Sequence, residues 1–291
     1  MNDSIAAVVV TYNRLNFLKE IIFSLKIQSK KINKIIVVNN DSNDGTSEWL
    51  NEQNDLIVIN QGNVGGAGGF HTGVKAAYEM GFEWIWIMDD DVVPDLDCLK
   101  FLFEKADKNK ILTPIRIQPD GSIFYNDIYK FNFTNPFKSL WTEIISEKHF
   151  VGNMIKVEGI TFEGPFFNRN IVKNIGFPEK KFFIFADDSE YSLRATKAGF
   201  EIYLVQNAKL YRKLNYIDPL KNDFNWKHYF IFRNLFALHI LYGNLLVRYL
   251  RPFAFLILWI TFCKKFKDIK TLFKAFIDGY FYKRDKSSFI N

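Results

Sequence analysis

A short apolar run that ends in three adjacent carboxylates constrains this chain more than any other stretch: Trp84–Met88 is followed directly by Asp89, Asp90 and Asp91. Runs of this length, rich in β-branched and aromatic residues, are typical of a strand buried on both faces of a parallel sheet. Unpaired acids are too costly to bury, so they must lie at the carboxyl end of the strand, where open α/β sheets bind ligands. Because side chains alternate along an extended segment, Asp89 and Asp91 share one face, which suits a hard divalent cation that bridges substrate phosphates. The alternative is a solvated acidic turn before Pro94.

The N-terminal part of the chain alternates apolar runs with segments of helical apolar spacing. Strands are predicted at Ile5–Val10, Ile35–Val38 and Leu56–Asn60, and helices at Leu15–Gln28 and Thr46–Glu52, the second with Thr46 as its N-cap. Strands that alternate with helices indicate βαβ units and a mostly parallel sheet, so the predicted fold class is α/β. The length of 291 residues, 48% of them hydrophobic, is enough for one large α/β domain plus an appendage.

Four glycines fall within five residues between the third predicted strand and the next helix, which is predicted over Thr72–Met80. A loop so rich in glycine costs conformational entropy unless its backbone must approach another group closely. A glycine-rich turn that leads into a helix N-terminus suits a pyrophosphate or a sugar, and a tight packing turn is the alternative. The pattern is neither a GxGxxG dinucleotide fingerprint nor a P-loop. The glycines are Gly65, Gly66, Gly68 and Gly69.

Four motifs, in a fixed order, carry a resemblance to a known family. The chain resembles the family 2 glycosyltransferases, which have a GT-A fold, over roughly Ile5–Arg233. Its glycine motif is most similar to the branch that holds galactofuranosyltransferases and some rhamnosyltransferases. The resemblance implies a catalytic domain over residues 1–234 and a C-terminal helical segment over residues 235–291. The motifs are VVVTYNR (Val8–Arg14), IIVVNNDSNDGT (Ile35–Thr46), NVGGAGGF (Asn63–Phe70) and WIWIMDDDV (Trp84–Val92).

The resemblance implies a donor site for a nucleoside-diphosphate sugar, with a UDP-sugar favoured. Asp89 and Asp91 match the family's DxD element, which holds Mg²⁺ or Mn²⁺ against the diphosphate, and Asp90 is expected to contact ribose or sugar hydroxyls or to cap the next segment. The other implied donor residues are Thr11 and Arg14 at the nucleotide, Asp41 at the uracil or thymine edge, and Gly65, Gly66, Gly68 and Gly69 along the sugar and diphosphate.

A second acidic cluster follows the apolar run Phe183–Phe185, where Asp187, Asp188 and Glu190 stand at the predicted start of a helix. As structural residues they would cap that helix, because the unpaired amides of a helix N-terminus stabilise carboxylates. The resemblance implies instead that Asp188 is the general base of an inverting transfer and that Asp187 orients acceptor hydroxyls. Such a base must lie within hydrogen-bond reach of the attacking hydroxyl. Asp187 and Glu190 are the alternatives for the base.

Acceptor binding is predicted for Phe166, Phe167 and Glu190. The two phenylalanines stand where relatives keep an aromatic acceptor-binding segment, although an aromatic cluster more often belongs to a core. The segment Phe124–Phe150 is aromatic and irregular, and we predict that it is an insertion that faces the acceptor.

One position departs from the family. Relatives often carry a histidine as a third metal ligand after the strand that is predicted here at Glu201–Val205, and the matching position holds Arg212. Arginine has no lone pair for a cation, but its guanidinium can neutralise a diphosphate. The metal would then be held by carboxylates and phosphate alone, or be dispensable. The four histidines, His71, His149, His228 and His239, do not fall at the expected place.

The C-terminal segment carries most of the positive charge. From position 244 onward there are ten Lys and Arg residues but three acidic ones, while the whole chain has a net charge of +6. Pro252–Cys263 is apolar and uncharged but is shorter than the roughly 20 residues of a membrane-crossing helix. Flanked by Arg248 and Arg251 and by a lysine cluster, it predicts a region that lies on an anionic membrane surface. A helical pair that covers the catalytic domain, or a homodimer contact, is the alternative.

The cysteines and the N-terminus predict the compartment. Cys98 and Cys263 are far apart and predict no disulfide framework, which fits a reducing environment. The first strand is predicted to begin at Ile5, and no signal peptide is expected before it. The expected location is therefore cytoplasmic, peripherally associated with the inner face of the cell membrane.

The predicted function is an inverting glycosyl transfer from UDP-galactofuranose to a hydroxyl of a lipid-linked glycan, in the synthesis of a bacterial cell-surface polysaccharide such as O-antigen or capsule. A dTDP-rhamnose-dependent rhamnosyltransferase is the alternative within the family. A catalytically inactive scaffold that binds sugar nucleotides is an alternative of another class. A nucleic-acid binder could use the basic tail, but it would leave the acidic triplet and the glycines unexplained, so no nucleic-acid partner is expected.

Overall fold

The structure, a computed structural model, describes residues 3–218 and 223–290. Its strands are β1 (Ile5–Thr11), β2 (Lys34–Asn40), β3 (Leu56–Gln61), β4 (Trp84–Asp89), β5 (Val92–Pro94), β6 (Lys110–Ile117), β7 (Ile128–Phe131), β8 (Trp141–Ile144), β9 (Met154–Val157), β10 (Phe166–Asn168) and β11 (Glu201–Arg212). Its helices are α1 (Leu15–Lys26), α2 (Thr46–Asn51), α3 (Gly65–Glu79), α4 (Cys98–Phe103), α5 (Arg169–Ile175), α6 (Asp187–Lys197), α7 (Lys227–Tyr242), α8 (Leu245–Ile260) and α9 (Phe266–Tyr280).

A mixed, mostly parallel sheet forms the centre of the molecule, in the order β3-β2-β1-β4-β10-β6-β11-β5, with β9 also paired to β11. Strands β1 to β4 are parallel to one another, as is the β6–β11 pair. The short β10 is antiparallel to both β4 and β6 and fills the space between them. The predicted α/β class is therefore confirmed, and the acidic triplet stands at the carboxyl end of a central strand.

The sheet is buried on both faces, which explains the continuous apolar runs of its strands. Along β1, Ala6, Val8 and Val10 pack into one apolar layer. The alternate residues Ile5 and Ala7 pack into the layer on the opposite face. Both layers are needed to keep the strand ends, and the acids attached to them, in a fixed place.

The predicted glycine loop is wrong: helix α3 already begins at Gly65 rather than at Thr72. The helix lies directly on the sheet, and a Cβ at Gly69 would overlap Cγ1 of Val10 while one at Gly73 would overlap Cγ1 of Val8. Close packing of helix on strand is therefore the main requirement for glycine here.

The predicted N-cap of the second helix is also wrong. Helix α2 begins at Thr46 itself, and the residue before it is Gly45, with φ 90°. The side chain of Asp44 accepts hydrogen bonds from the backbone nitrogen (3.3 Å) and the hydroxyl (2.6 Å) of Thr46. The side chain of Asp44, and not that of Thr46, therefore accepts a hydrogen bond from the backbone at the start of the helix.

The segment between Phe124 and Phe150, which the sequence left without secondary structure, contains the antiparallel pair β7–β8. This hairpin stands outside the central sheet. It is tied back to the body where the nitrogen of Ile128 donates to the carbonyl of Gly159 (2.8 Å).

Helices α7, α8 and α9 pack together around an apolar core of their own, in which Phe236 contacts Trp259 and Phe276. The predicted division between positions 234 and 235 falls inside α7, and it stays a prediction. Arg251 was expected at the membrane surface, but it is buried and donates to the carbonyl of Asn132 (2.6 Å). Among the described helices, none combines the length and apolarity needed to cross a bilayer.

Candidate active site

The two acidic clusters open into one cavity of about 720 Å³. Asp89 and Asp91 lie at the carboxyl end of β4, and Asp187 and Asp188 lie in the first turn of α6, so two elements far apart in sequence face each other. The rest of the wall comes from the start of α3, the β7–β8 hairpin and one side of α7. Carboxylates that converge on a cavity at the end of a parallel strand are the arrangement expected of a binding or catalytic site.

The three adjacent aspartates divide as the alternation along the strand predicts. Asp89 and Asp91 line the cavity, whereas Asp90 is buried beneath it. Burial raises the pKa of Asp89 well above its usual range, and the neighbouring carboxylates of Asp91, Asp90 and Glu163 raise it further. The ionised form of Asp89 is therefore disfavoured, although Arg14 opposes this effect.

Asp90 and Thr11 face each other inside the protein. The Thr11 hydroxyl donates to Oδ2 of Asp90 (2.7 Å), and Nη1 of Arg14 donates to Oδ1 of Asp90 (3.1 Å). Burial raises the pKa of Asp90 to about 6, against the opposing effects of Arg14 and Thr11. The contacts predicted for Asp90 and Thr11 with the nucleotide are thus not supported, because both side chains are used to brace the strand ends.

Arg14 lies on the cavity wall, as predicted for a nucleotide-site residue. Its Nη1 also donates to Oδ2 of Asp91 at 2.6 Å. Asp41, the residue predicted to contact the base, is exposed just after β2, with φ 66°, and lies outside the cavity wall. Its role stays a prediction.

The glycines serve different purposes. Gly66 lines the cavity, and a Cβ there would meet no atom within 4 Å. Gly68 and Gly69 are buried, and a Cβ at either would overlap a valine side chain, so packing requires glycine at both positions, and their donor role stays a prediction. Gly65 has φ 75°, and a Cβ there would overlap the carbonyl oxygen of Phe183.

Arg212 enters the cavity because β11 pairs with β5, which sets Arg212 opposite Val92 and so beside the acidic triplet. Its Nη2 lies 3.2 Å from Oε1 of Glu163, and its guanidinium carbon lies 4.2 Å from the ring centroid of Phe124. Within the described part of the chain, Nε and Nη1 of Arg212 are buried and have no hydrogen-bond partner.

Glu163 was named in the sequence only as part of an aromatic segment. In the structure it lies between Arg212 and Arg116, whose Nη1 is 3.6 Å from Oε2 of Glu163. Burial raises the pKa of Glu163, and the two arginines oppose that rise. The neighbouring glycine gives the only sequence signal: Gly164, with φ 94°, turns the chain sharply and directs Glu163 into the cavity.

The donor set fits a divalent cation held by few protein ligands. In residues 3–218 and 223–290 no group of three or more His, Cys, Asp or Glu side chains is arranged to hold a metal ion. Two carboxylates, Asp89 and Asp91, do face the cavity, and burial together with the neighbouring carboxylates raises the pKa of Asp89, an effect that a bound cation would oppose. Mg²⁺ is commonly bound by one or two carboxylates, with water and substrate phosphates completing its shell.

The second acidic pair has the properties of proton-transfer groups. Burial raises the pKa of Asp188 to about 6, and it raises the pKa of Asp187 to about 8 with a further contribution from Asp188. Oδ1 of Asp188 accepts from the nitrogen of Ser189 at 2.5 Å. A carboxylate whose pKa lies near neutrality can accept a proton from a bound hydroxyl in its ionised form.

Three predicted acceptor residues do not reach the cavity. Phe166 and Phe167 are fully buried in β10, where each packs into the apolar layer on one face of the sheet. Glu190 is fully buried as well, with Arg194 at 2.6 Å and Arg284 at 2.9 Å. These predictions are wrong, because the two phenylalanines complete the core and Glu190 pairs with the buried Arg194 and the partly buried Arg284.

Another part of the cavity wall is formed by side chains that the sequence did not single out. They include one large aromatic residue of the hairpin and apolar residues of α7. Trp141 and Ile144 come from β8, Ile128 from β7, and Ile231 and Leu235 from α7. The predicted acceptor-facing location of the segment 124–150 was the one usable signal for this wall.

The chain is similar to proteins of known family. The family model described as "Glycosyl transferase family 2" matches residues 6–176. The chain is 27% identical over 207 residues to galactofuranosyltransferase GlfT1 of Mycolicibacterium smegmatis, covering 68% of this chain and 67% of that protein. It is 29% identical over 208 residues to GlfT1 of Mycobacterium tuberculosis (68% and 66%), and 26% identical over 217 residues to dTDP-rhamnosyl transferase RfbF of Shigella flexneri (72% and 69%).

Solved structures share the fold at lower identity. TarS residues 1–349 of S. aureus, in complex with UDP-GlcNAc, aligns with a TM-score of 0.60 and 17% identity, covering 95% of this chain and 81% of that one. GalNAc-T7 with UDP, GalNAc and Mn²⁺ aligns with a TM-score of 0.58 and 14% identity, covering 94% and 57%.

The fold and the cavity with its two acidic clusters define a glycosyltransferase of GT-A type. More narrowly, the chain belongs to glycosyl transferase family 2. The predicted family, fold class and enzyme class are thereby confirmed.

Proposed function

We propose that this protein is an inverting galactofuranosyltransferase that moves galactofuranose from UDP-galactofuranose to a hydroxyl of a lipid-linked glycan, in bacterial cell-surface polysaccharide synthesis such as that of O-antigen or capsule. One observation carries the transfer itself: Asp187 and Asp188 face Asp89 and Asp91 across a single cavity. The choice of sugar is supported by the relatives named galactofuranosyltransferases.

On the donor side, Asp89 and Asp91 would hold Mg²⁺ or Mn²⁺, and Arg212 replaces the histidine that relatives often carry. When bound, the cation would offset the negative charge that develops on the leaving diphosphate. The guanidinium of Arg212 lines the cavity and would neutralise the diphosphate, since it is a permanently charged donor. Gly66 leaves room for the donor at the start of α3.

On the acceptor side, Asp188 takes the proton of the attacking hydroxyl. As the new bond forms from that oxygen to the anomeric carbon, the bond from the anomeric carbon to the diphosphate oxygen breaks, and its electron pair leaves with UDP. Attack from the face opposite the leaving group inverts the anomeric configuration. Asp187 is protonated at neutral pH because its pKa is raised to about 8, so it can donate a hydrogen bond to another acceptor hydroxyl.

The aromatic and apolar wall is the proposed acceptor subsite. Trp141 lines the same cavity as Asp188, and aromatic rings present an apolar body to the carbon face of a ligand. This wall takes the place of the acceptor role that the sequence assigned to Phe166 and Phe167.

A dTDP-rhamnose donor is the second candidate. It is favoured by the relative named dTDP-rhamnosyl transferase, which shares 26% identity with this chain. Both donors present a diphosphate to the same charged wall, so the choice rests on the sugar and the base.

The experiment is a panel of nucleotide sugars. Thermal unfolding is measured with UDP-galactofuranose, dTDP-rhamnose and UDP-glucose, with and without Mn²⁺, and then transfer to a synthetic lipid-linked acceptor is measured. We expect UDP-galactofuranose with Mn²⁺ to raise the Tm most and to be the donor consumed. Stabilisation by a donor without turnover, over a set of acceptors, would favour the inactive scaffold.

The proposed role of Asp91 in metal binding is tested with two variants in the same assays. Asp91→Ala should lose the Mn²⁺-dependent part of the Tm increase and the turnover, while the exposed Asp95→Asn, just beyond the site, should keep both. Full activity of Asp91→Ala would remove the proposed metal role.

We further propose that the protein works at the inner face of the cell membrane through α8 and α9. Twelve large apolar side chains of this region are 43–71% exposed: Leu245, Leu246, Tyr249, Leu250, Phe253, Ile257, Leu258, Phe262, Phe266, Phe273, Ile277 and Phe281. Exposed lysines lie beside them at Lys264, Lys265, Lys267, Lys270 and Lys274. An apolar face with a basic border suits an anionic bilayer, and it would bring the protein to a lipid-linked acceptor.

A further inference from the structure

The segment 182–186 connects the donor side of the cavity to the acids of α6. At one end, the carbonyl of Phe183 accepts from the nitrogen of Ala67 in α3 (3.1 Å), and the absence of a side chain at Gly65 allows this approach. At the other end, the segment runs directly into Asp187 and Asp188. Its conformation therefore sets the positions of both carboxylates relative to the donor.

The backbone of this segment is strained. Phe183, Phe185 and Ala186 have φ angles of 62°, 69° and 62°, in the left-handed region that residues with a Cβ rarely adopt. Residues held in this region persist when the surrounding structure over-determines them, and they cluster at functional sites. Something outside the segment must therefore hold it in place.

Asn234 of α7 is the group that holds it. The side chain is fully buried, and its Nδ2 lies 2.9 Å from the carbonyl oxygen of Phe182, 2.9 Å from that of Ile184 and 2.7 Å from that of Phe185. A primary amide has two N–H groups, so one of them is shared between two of the three carbonyls. A single side chain thus satisfies three backbone acceptors of the strained segment.

Arg233, the preceding residue, fixes the orientation of that amide. Its Nε and Nη2 donate to Oδ1 of Asn234 at 2.9 and 2.7 Å, and Nη2 also donates to the carbonyls of Lys181 (2.6 Å) and Phe182 (3.0 Å). A guanidinium cannot accept a hydrogen bond, so the amide must turn its oxygen toward Arg233 and its nitrogen toward the segment.

We propose that Asn234 is a positioning residue for catalysis, which holds the segment 182–186 so that Asp187 and Asp188 face the donor across the cavity. This inference rests on the proposed transfer reaction. Asn234 is not a catalytic residue, because it touches the backbone of the segment and does not line the cavity. Buried polar groups whose partners are all satisfied rigidify and specify one arrangement.

The test compares Asn234→Asp and Asn234→Ala with the wild type, in the full-length chain. Asn234→Asp keeps the shape but turns an acceptor toward three carbonyls, so both variants release the segment. We expect hydrogen exchange of the backbone amides in residues 183–188 to become at least about tenfold faster, because opening of a local segment sets its exchange rate. We expect kcat to fall on the order of 100-fold, the cost of a small misplacement of reacting groups. The Kd of UDP, measured separately, should stay within about threefold, since Asn234 lies outside the donor wall.

Phe236→Leu is the matched control. Phe236 is fully buried in the same helix and packs on Trp259 and Phe276, but its ring makes no hydrogen bond to the backbone of the segment. It should lower the Tm while leaving kcat and the exchange of residues 183–188 unchanged. An equal loss of kcat in Phe236→Leu, at a similar loss of Tm, would show that α7 acts through stability alone and would overturn the positioning role.

Failure of the positioning role can be distinguished from failure of the proposed function. A kcat of Asn234→Asp close to that of the wild type would overturn the proposal even if the transferase reaction is correct. If the wild type transfers no sugar, the proposed function fails, and unchanged exchange of residues 183–188 in Asn234→Asp would then overturn the structural part of the inference as well. Should Asn234→Ala not fold, the isosteric Asn234→Asp carries the comparison.

Discussion

At the scale of single residues, the site depends on where burial places each carboxylate. Asp90, Asp187 and Asp188 all have a raised pKa because they are removed from water, yet they serve different purposes. Asp90 is bonded to Thr11 and braces the strand ends, whereas Asp187 and Asp188 face the open cavity. A perturbed pKa marks a functional group when the side chain also meets a space that a ligand can enter.

Asp188→Asn tests the general base. The amide cannot accept the proton of the acceptor hydroxyl, so we expect kcat to fall by about 10²–10⁴-fold while UDP binding is kept. In the wild type, kcat should rise with pH through about 6, since the ionised carboxylate is the base. Steady-state kinetics and UDP titration provide the measurements. Retained transfer would move the base to Asp187, because Glu190 is buried away from the cavity.

Asp187→Asn tests whether the raised pKa of Asp187 makes the stability of the folded protein depend on pH. The pKa of Asp187 is raised from 3.8 to about 8, so the folded state holds this proton more tightly than the unfolded chain does. The free energy of unfolding therefore falls as pH rises from about 4 to 8, because over this range the unfolded chain releases the proton while the folded state must keep it. Asparagine does not ionise, so this loss is absent in the variant. Asp187→Asn should therefore raise the Tm more at pH 8 than at pH 5.

The measurement is the Tm of the wild type and of Asp187→Asn between pH 5 and pH 8. Asp188→Asn, whose carboxyl has the lower pKa of about 6, should show the same sign over a narrower range. A Tm difference for Asp187→Asn that does not change with pH would contradict the raised pKa.

At the scale of elements, helix α3 combines two requirements in one glycine-rich turn. Gly69 and Gly73 let the helix lie directly on β1, while Gly66 faces the cavity. The sequence showed the glycines but could not separate these uses, because the difference lies in which strand passes beneath each residue. The same limit applies to β10, whose insertion between β4 and β6 turned a predicted sugar platform into core.

Substitution by alanine should separate the two uses. Gly69→Ala should destabilise the protein by about 1–3 kcal/mol, because its methyl group overlaps Val10 in a packed core. Gly66→Ala meets no atom and should stabilise the helix by up to about 1 kcal/mol. The methyl group at position 66 nevertheless points to the donor space, so we expect a higher KM for the nucleotide sugar.

Urea unfolding and donor kinetics of both variants measure these effects. An unchanged KM in Gly66→Ala would place the donor elsewhere along the wall, and an unchanged free energy of unfolding in Gly69→Ala would contradict the close packing of α3 on β1.

At the scale of the whole molecule, the C-terminal helices have a buried inner side and an exposed apolar outer side. Their inner side forms an apolar core, in which Phe236 and Leu272 are fully buried, and Arg251 anchors α8 to the loop that follows β7. Their outer side leaves a broad apolar face beside exposed lysines. The two readings that the sequence left open, a cover for the catalytic domain and a membrane-facing surface, are therefore compatible on opposite sides of the same helices.

The membrane proposal is tested with the double variant Ile257→Ser and Phe262→Ser. Both side chains are more than half exposed, so their replacement should leave the Tm nearly unchanged but weaken sedimentation with phosphatidylglycerol vesicles at least about tenfold, given the apolar area lost from the bilayer. Binding should also fall with added salt, because the lysines act through a screened field.

Phe23→Ser is the control, since Phe23 is equally exposed on α1, within the catalytic domain. It should sediment like the wild type. Unchanged vesicle binding of the double variant, together with a change of mass in analytical ultracentrifugation, would favour a homodimer contact instead.

Short-range patterns were enough for the alternating strands and helices, the position of the acidic triplet at a strand end and the family. Each depends on periodicity or on motifs within about a dozen residues, where neighbours in the chain are neighbours in space. Contacts between distant segments settled the rest: the burial of Phe166 and Glu190, the hairpin wall with Trp141, and the attachment of Asn234 to the segment before Asp187. A buried phenylalanine and a ligand-facing one have the same side chain, so only the strand or helix that packs against each of them decides its role.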